Sequence, residues 1–455
     1  MTTNIDQLKQ DNAQYLWHPM AHPKAMQKNK PDIIARGEGC WVWDIDGHKM
    51  LDGMAGLWSC NLGHSNDRVI TAMTDQLREL PYYNAFRGTT HPRAIELSSR
   101  LVKTMEPENV GAVIFSNGGS DAVEGALKIS RQYWKIKGQP ERTKFISLRN
   151  GYHGVHFGGT SVNGIAQNRR PYEPLLPGCF HVDTPWLYRN PYTQDPVELG
   201  KICAGLLERE IQFQGADTIA AFIAEPIQGA GGVIVPPANY WPLVREICDR
   251  YGVLLIADEV ITGFGRAGEL FGTRLWGVNA DIWCLAKGIS SGYIPLGATA
   301  IGNKVADAFN NDTSGQAVVQ HGFTYSGHPV AAAAALASLD EIERLKVPEN
   351  AARMGAHLHQ RLDKFVERYS FVGNVRGRGL MACLEMVADK ATKATMPKGN
   401  ELLPKLASAV YKHGAMVRIS GANMILSPPL VINLEELDYL VDVLETAFDE
   451  VEASL

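Results

Sequence analysis

The sequence of 455 residues predicts an α/β fold, and three observations carry that expectation. Short apolar runs of strand length recur through its middle, and they are unbroken rather than alternating, as in strands buried on both faces of a parallel sheet. Stretches of helical length separate them, the order of a sheet covered by helices. Two of the runs end abruptly on a charge, Asp258 and Lys287.

Taken in order, the opening segment mixes polar residues with Trp17, Pro19 and Met20 and reads as an arm. Residues 39–51 (GCWVWDIDGHKML) alternate around Asp46-Gly47, a hairpin signal. Between about 66 and 325 come the runs 111–115 (GAVIF), 143–148 (TKFISL), 218–224 (TIAAFIA), 253–257 (VLLIA) and 282–286 (IWCLA). After Pro329 a long alanine-rich helix is expected. Strand-like pieces follow at 379–384 and 424–426, then an amphipathic helix over 434–451. The division this implies is 1–65 for the arm and hairpin, 66–328 for the large domain and 329–455 for a smaller α+β domain.

Composition narrows the function classes. Hydrophobic residues make up 45% and charged residues 20%, the balance of an ordinary globular protein. A net charge of −5 with interspersed signs gives no nucleic-acid surface. The apolar stretch near 330–339 is too short and small-sided to span a bilayer. No basic segment followed by an apolar one opens the chain, and the seven scattered cysteines form no Cys-x-x-Cys pair. Reduced thiols in a cytoplasm, and no metal centre, are the expectation.

Four segments carry candidate chemistry. Asn117-Gly118-Gly119-Ser120-Asp121 takes a strand into a helix, so backbone amides and the Ser120 hydroxyl could cradle a phosphate. On its own it equally suits an ordinary helix cap. Asp258 closes an apolar strand, where a carboxylate is expensive to bury unless a cation meets it. A protonated heterocyclic nitrogen is one such cation. A metal-binding acid is the alternative, but no Gly-x-x-x-x-Gly-Lys-[Ser/Thr] supports it. Lys287 closes the next such strand, where deep siting lowers an amine's pKa as imine chemistry requires. An isolated lysine would instead snorkel from a strand end. Asn150-Gly151-Tyr152-His153-Gly154 follows another strand, and its aromatic could stack on a ring.

These segments resemble the class III aminotransferases of pyridoxal-5′-phosphate (PLP) fold type I. The likeness runs from Trp41 through the C-terminal part. Its motifs are 254–265 (LLIADEVITGFG), 285–297 (LAKGISSGYIPLG), 117–124, 225–232 (EPIQGAGG) and 321–329 (HGFTYSGHP). The resemblance implies a mostly parallel seven-stranded sheet between helices, and a small domain built from both chain ends. It implies that Lys287 carries PLP covalently and moves the proton, while Asp258 binds the pyridine nitrogen. Tyr152 and Val260 would sandwich the ring beside His153, and Glu225 would lie near the phenolic oxygen. Gly118, Gly119 and Ser120 would hold the phosphate, joined by Thr324 from the partner subunit of an obligate homodimer that could pair further into a tetramer. Many relatives read Ser-Gly-Ser where this chain has Gly118-Gly119-Ser120, so one hydroxyl is missing.

Branches of that family that use 2-oxoglutarate carry Glu and Gln where this chain has Ala230 and Ile261. Without that glutamate the gate that masks an arginine is absent, and the pattern resembles the ω-amine:pyruvate group. Arg418 matches that group's mobile arginine, whose fork suits a carboxylate. Trp58 would line the substrate pocket, with Phe86 and Met20 narrowing its entrance or packing an interface. The implied reaction is transamination of a primary amine or ω-amino acid, giving aldehyde or ketone, with pyruvate leaving as L-alanine. A class III decarboxylase, an aminomutase and a 2-oxoglutarate-linked aminotransferase are the alternatives.

Overall fold

A computed structural model describes residues 4–28, 31–397 and 399–454. At its centre stands a seven-stranded sheet in the order Val110–Ser116, Gly297–Gly302, Ile282–Leu285, Leu254–Asp258, Ile219–Ala224, Lys144–Leu148, Cys179–Val182. Gly297–Gly302 is antiparallel to both neighbours, and the other strands share one direction. Every residue of Ile219–Ala224, Leu254–Asp258 and Ile282–Leu285 is buried, as unbroken apolar runs require.

All five apolar runs form strands of this sheet. The two strands that the runs did not locate are Cys179–Val182 at the edge and Gly297–Gly302. The latter, GATAIG, is built of small residues because its neighbours press close. A Cβ at Gly297 would stand 2.3 Å from the Gly118 carbonyl oxygen. The opening segment holds two helices, Ile5–Tyr15 and Pro23–Lys28, with no buried residue.

The expected hairpin forms from Trp41–Asp44 and Lys49–Asp52. Its second strand pairs in parallel with Ala415–Met416, with Leu51 opposite Ala415, so the two ends of the chain share a sheet. A third sheet orders Val372–Gly377, Ala382–Met386, Asn423–Leu426 and Arg418–Ser420, all antiparallel. The alanine-rich helix is Pro329–Arg344, buried without a break from Pro329 to Ala335, and the last helix is Leu434–Glu452, closed by a capping box at Asn433 and Glu436.

Arg266 locks these parts together. Wholly buried, it donates to the carbonyls of Leu380 at 3.1 Å and Pro428 at 2.5 Å and to Asn61 Oδ1 at 2.9 Å. A cation without a carboxylate is tolerable there because oxygens from three distant segments converge on it. The seven cysteines are unpaired. Among the described residues no helix is long and apolar enough to cross a membrane.

Candidate active site

Because most strands run one way, their carboxyl ends open at one edge of the sheet, where open α/β sheets bind ligands. A cavity of about 370 Å³ lies there. It is bordered by Gly118, Gly119 and Ser120, by Tyr152 and His153, by Glu225, by Asp258 and Val260, and by Lys287. Residues read from four separate sequence segments, with Glu225 from a fifth, thus meet around one space.

Asp258 is buried at the end of its strand, and its Oδ2 lies 2.8 Å from His153 Nδ1. His153 is itself buried, so the pair fixes the carboxylate's direction. Lys287 follows the next strand at φ +45°, a left-handed turn that lifts the side chain out of the sheet. Burial pushes its amine down to about 8, against the pull of Asp258 and Glu225. Among the described residues it forms no ion pair. Glu225 is pushed up to about 7, chiefly by burial. Its oxygens accept from the amides of Tyr152 at 2.9 Å and Gly229 at 2.8 Å, so it ties down both loops.

The amino end of helix Gly119–Ile136 faces the same cavity. Asp121 closes the turn by accepting from the Asn117 amide at 2.9 Å. A Cβ at Gly119 would come within 2.9 Å of Val260, so only glycine lets the turn lie against that wall. Gly118 is extended, with nothing within 4 Å of where a Cβ would stand. Gly154, at φ +92°, brings its backbone against Ser120, whose Oγ accepts from the Val155 amide at 3.2 Å.

The predicted substrate residues are more scattered. Trp58 is buried and clusters with Ile227, Val233 and Ile261; Ile261 borders the cavity. Arg418 is half-buried and makes no ion pair among the described residues. Burial lowers its pKa, and the Tyr152 phenol counters this. Ala230 borders a different cavity. Phe86 is 51% and Met20 73% exposed. Thr324 is exposed and its carbonyl accepts from the Tyr82 hydroxyl at 2.7 Å. Phe86, Met20 and Thr324 do not border the cavity of their own chain. Bordering residues that sequence reasoning gave no role include Ser59, Ser290, Ile294 and Pro295. The last three lie inside the motif 285–297, so its full length was the available signal.

A buried carboxylate, an amine lowered by burial and a helix amino end around one cavity suit a flat cationic ring that carries a phosphate and a carbonyl. The family described as aminotransferase class-III matches residues 24–448. The putrescine–pyruvate aminotransferase of Pseudomonas aeruginosa is 39% identical over 439 residues, 96% of this chain and 94% of that protein. An amine transaminase from an uncultivated Pseudomonas species, solved in its PLP-bound internal aldimine form, superposes with a TM-score of 0.95 at 52% identity, over 96% of this chain and 99% of that one. An (S)-enantioselective omega-transaminase from Thermomicrobium roseum gives 0.95 at 41% identity, over 99% of both chains. The cavity's donor set fits PLP, and with likeness running nearly end to end, the chain belongs to the class III aminotransferases, enzymes that work with pyridoxal phosphate.

Proposed function

We propose that this aminotransferase takes its amino group from a primary amine or ω-amino acid and passes it to pyruvate, giving an aldehyde or ketone and L-alanine. The observation that carries the reading is Arg418, a guanidinium beside Tyr152 with no carboxylate partner among the described residues. Ala230 and Ile261 occupy the positions where a masking acid and its neighbour would stand, and Ile261 lies against Gly229 in the same apolar cluster as Trp58. An arginine that nothing masks suits a monocarboxylate acceptor and leaves an apolar surround for an uncharged amine. The name of the Pseudomonas aeruginosa relative pairs an amine with pyruvate in the same way.

PLP, when bound, supplies an electron sink for the carbon that loses its proton. Lys287 would hold it, and its Nζ is the base that would take a proton from the amine-bearing carbon and give it back. An amine lowered to about 8 is suited to both directions near neutral pH. Asp258, aimed by His153, would hold positive charge on the ring nitrogen. Tyr152 and Val260 would flank the cofactor, while Gly118, Gly119 and Ser120 would hold its phosphate. Glu225 keeps the Tyr152 loop in register by accepting from the Tyr152 amide, and its other oxygen accepts from the Gly229 amide. Arg418 binds the acceptor's carboxylate.

The same reading includes a homodimer with shared sites. Phe86 borders one cavity with Val319, Gln320, His321, Gly322 and Ser326, the residues that flank exposed Thr324, and this cavity shares no bordering residue with their own chain's pocket. That placement supports Thr324 and Phe86 serving a second copy. The test is a panel of amine donors assayed with pyruvate and again with 2-oxoglutarate. Pyruvate is expected to be the better acceptor across the panel, with alanine formed in step with carbonyl product. Faster turnover with 2-oxoglutarate sinks the reading of Ala230, Ile261 and Arg418.

A further inference from the structure

The turn that follows the hairpin is distorted. Ala55, Gly56 and Trp58 lie at φ +45°, +64° and +65°, and Gly56, with ψ −83°, sits near the rare γ-turn conformation. Alanine and tryptophan hold such angles only where the surroundings over-determine the backbone. The turn also leads into the site. Ser59 borders the catalytic cavity, and buried Trp58 shares an apolar cluster with Ile261, which borders it too.

Asp52 is the group that fixes this backbone. Its Oδ1 accepts from the Met54 amide at 3.2 Å, and its Oδ2 accepts from the Gly56 amide at 2.8 Å. His64 Nε2 lies 2.9 Å from the same Oδ2. The residue is 1% exposed, and three donors offset the cost of burying its carboxylate. From the far side, the Ser427 amide and hydroxyl donate to the carbonyls of Gly53 at 2.8 Å and Met54 at 3.2 Å. Ser427 stops at Met54, whereas Asp52 reaches Gly56, inside the distorted segment.

We propose that Asp52, with His64 behind it, is a positioning residue for amine specificity, fixing the turn that sets Trp58 and Ser59 against the donor's side chain. Asp52 does not border the cavity, so it acts through the turn alone. The inference deepens the proposed reaction and rests on reading Trp58 as a wall for the amine. Asparagine at position 52 keeps the shape but turns an NH₂ toward one of the donors, so one hold is lost and the turn relaxes. A wall free to shift discriminates less against bulk.

The test follows PLP-loaded enzyme with amine alone, by the absorbance change as bound PLP becomes its pyridoxamine form. No acceptor is present, so the outcome is independent of the acceptor's identity. The donors are butylamine and the bulkier α-ethylbenzylamine. The readout is the ratio of their second-order rate constants, bulky over small, which the fraction of active protein cannot alter. Trp58→Ala should raise that ratio by about tenfold or more, the worth of a misfit methylene in an apolar pocket. Asp52→Asn should raise it by about fivefold and His64→Leu by about threefold, while His64→Gln, whose amide still donates to Oδ2, stays near wild type. A ratio that moves in Trp58→Ala but not in Asp52→Asn overturns the inference and leaves the proposed function standing. A ratio unmoved in Trp58→Ala removes Trp58 from the amine pocket and overturns both. Equal shifts in the two His64 variants would trace the effect to the ring's bulk and also count against the proposal. Should Asp52→Asn fail to fold, His64→Leu decides alone, since that side chain is 24% exposed at the edge of the network, and an unchanged ratio there is fatal.

Discussion

Asp258 and Lys287 leave the ends of strands whose every residue is buried, and they are boxed in by His153 and Glu225. Met20, Phe86 and Thr324 stand on exposed segments outside the cavity of their own chain. The floor of the site is thus built by one chain's sheet, where any displacement disturbs close packing. The rim is presented outward, where a side chain can change with little effect on the fold. On the proposed assignment, chemistry and specificity would rest on parts of the molecule with different tolerance to change.

The sharpest way to break that contrast is at Lys287. Lys287→Met should lower kcat by at least about a thousandfold, since it removes the group that moves the proton. A variant retaining a tenth of wild-type turnover would place the base elsewhere. The same substitution tests the floor's electrostatics in cofactor-free protein. The folded-state amine sits at about 8, below its ordinary 10.5, so folding must strip or bury a charge below that window. Stability of the wild type therefore rises with pH between those values. Lys287→Met should raise Tm at pH 7 by roughly 2–5 °C, with the gain fading between pH 8 and 10.5. A gain that grows with pH contradicts the assignment.

Asp258→Asn comes next, with an expected loss in kcat of about a hundredfold or more through lost stabilisation of the ring cation. The shape is conserved, so Tm of the loaded enzyme should move little by comparison. At the rim, Thr324→Val should leave the fold intact and weaken PLP binding by roughly tenfold, the worth of one hydrogen bond to a charged group. Unchanged PLP affinity in that variant would remove Thr324 from the site. The smallest effect is expected where the floor is incomplete. Gly118 is extended with open space at its Cβ position. Gly118→Ser should therefore restore a hydroxyl without strain and tighten PLP binding by roughly threefold, measured by cofactor release.

The same contrast explains what the sequence disclosed. Buried parallel strands announce themselves as apolar runs, and a charge closing such a run has few explanations, so Asp258 and Lys287 stood out. Gly297–Gly302 was hidden because its small residues answer to close contacts, as Gly297 does to Gly118, rather than to hydrophobicity. Cys179–Val182, an edge strand with His181 in it, carries no unbroken run. Glu225 entered through its motif, since nothing local signals that its carboxylate reaches back to the Tyr152 amide, 73 residues away in the chain.

The pairing of Leu51 with Ala415 has a consequence for synthesis in the cell. A ribosome adding about 5–20 residues per second needs on the order of a minute to travel between them. Through that interval the Lys49–Asp52 edge of the hairpin lacks its partner, with Trp41 and Trp43 on the strand beside it, an invitation to stick to other nascent chains. Lys49, whose ammonium lies 4.2 Å from the Trp41 ring and 5.5 Å from the Trp43 ring, sets a hydrated charge on that patch. A charge placed there would act as a gatekeeper during translation, so replacing Lys49 with an apolar residue should lower soluble yield more than it lowers the Tm of whatever folds.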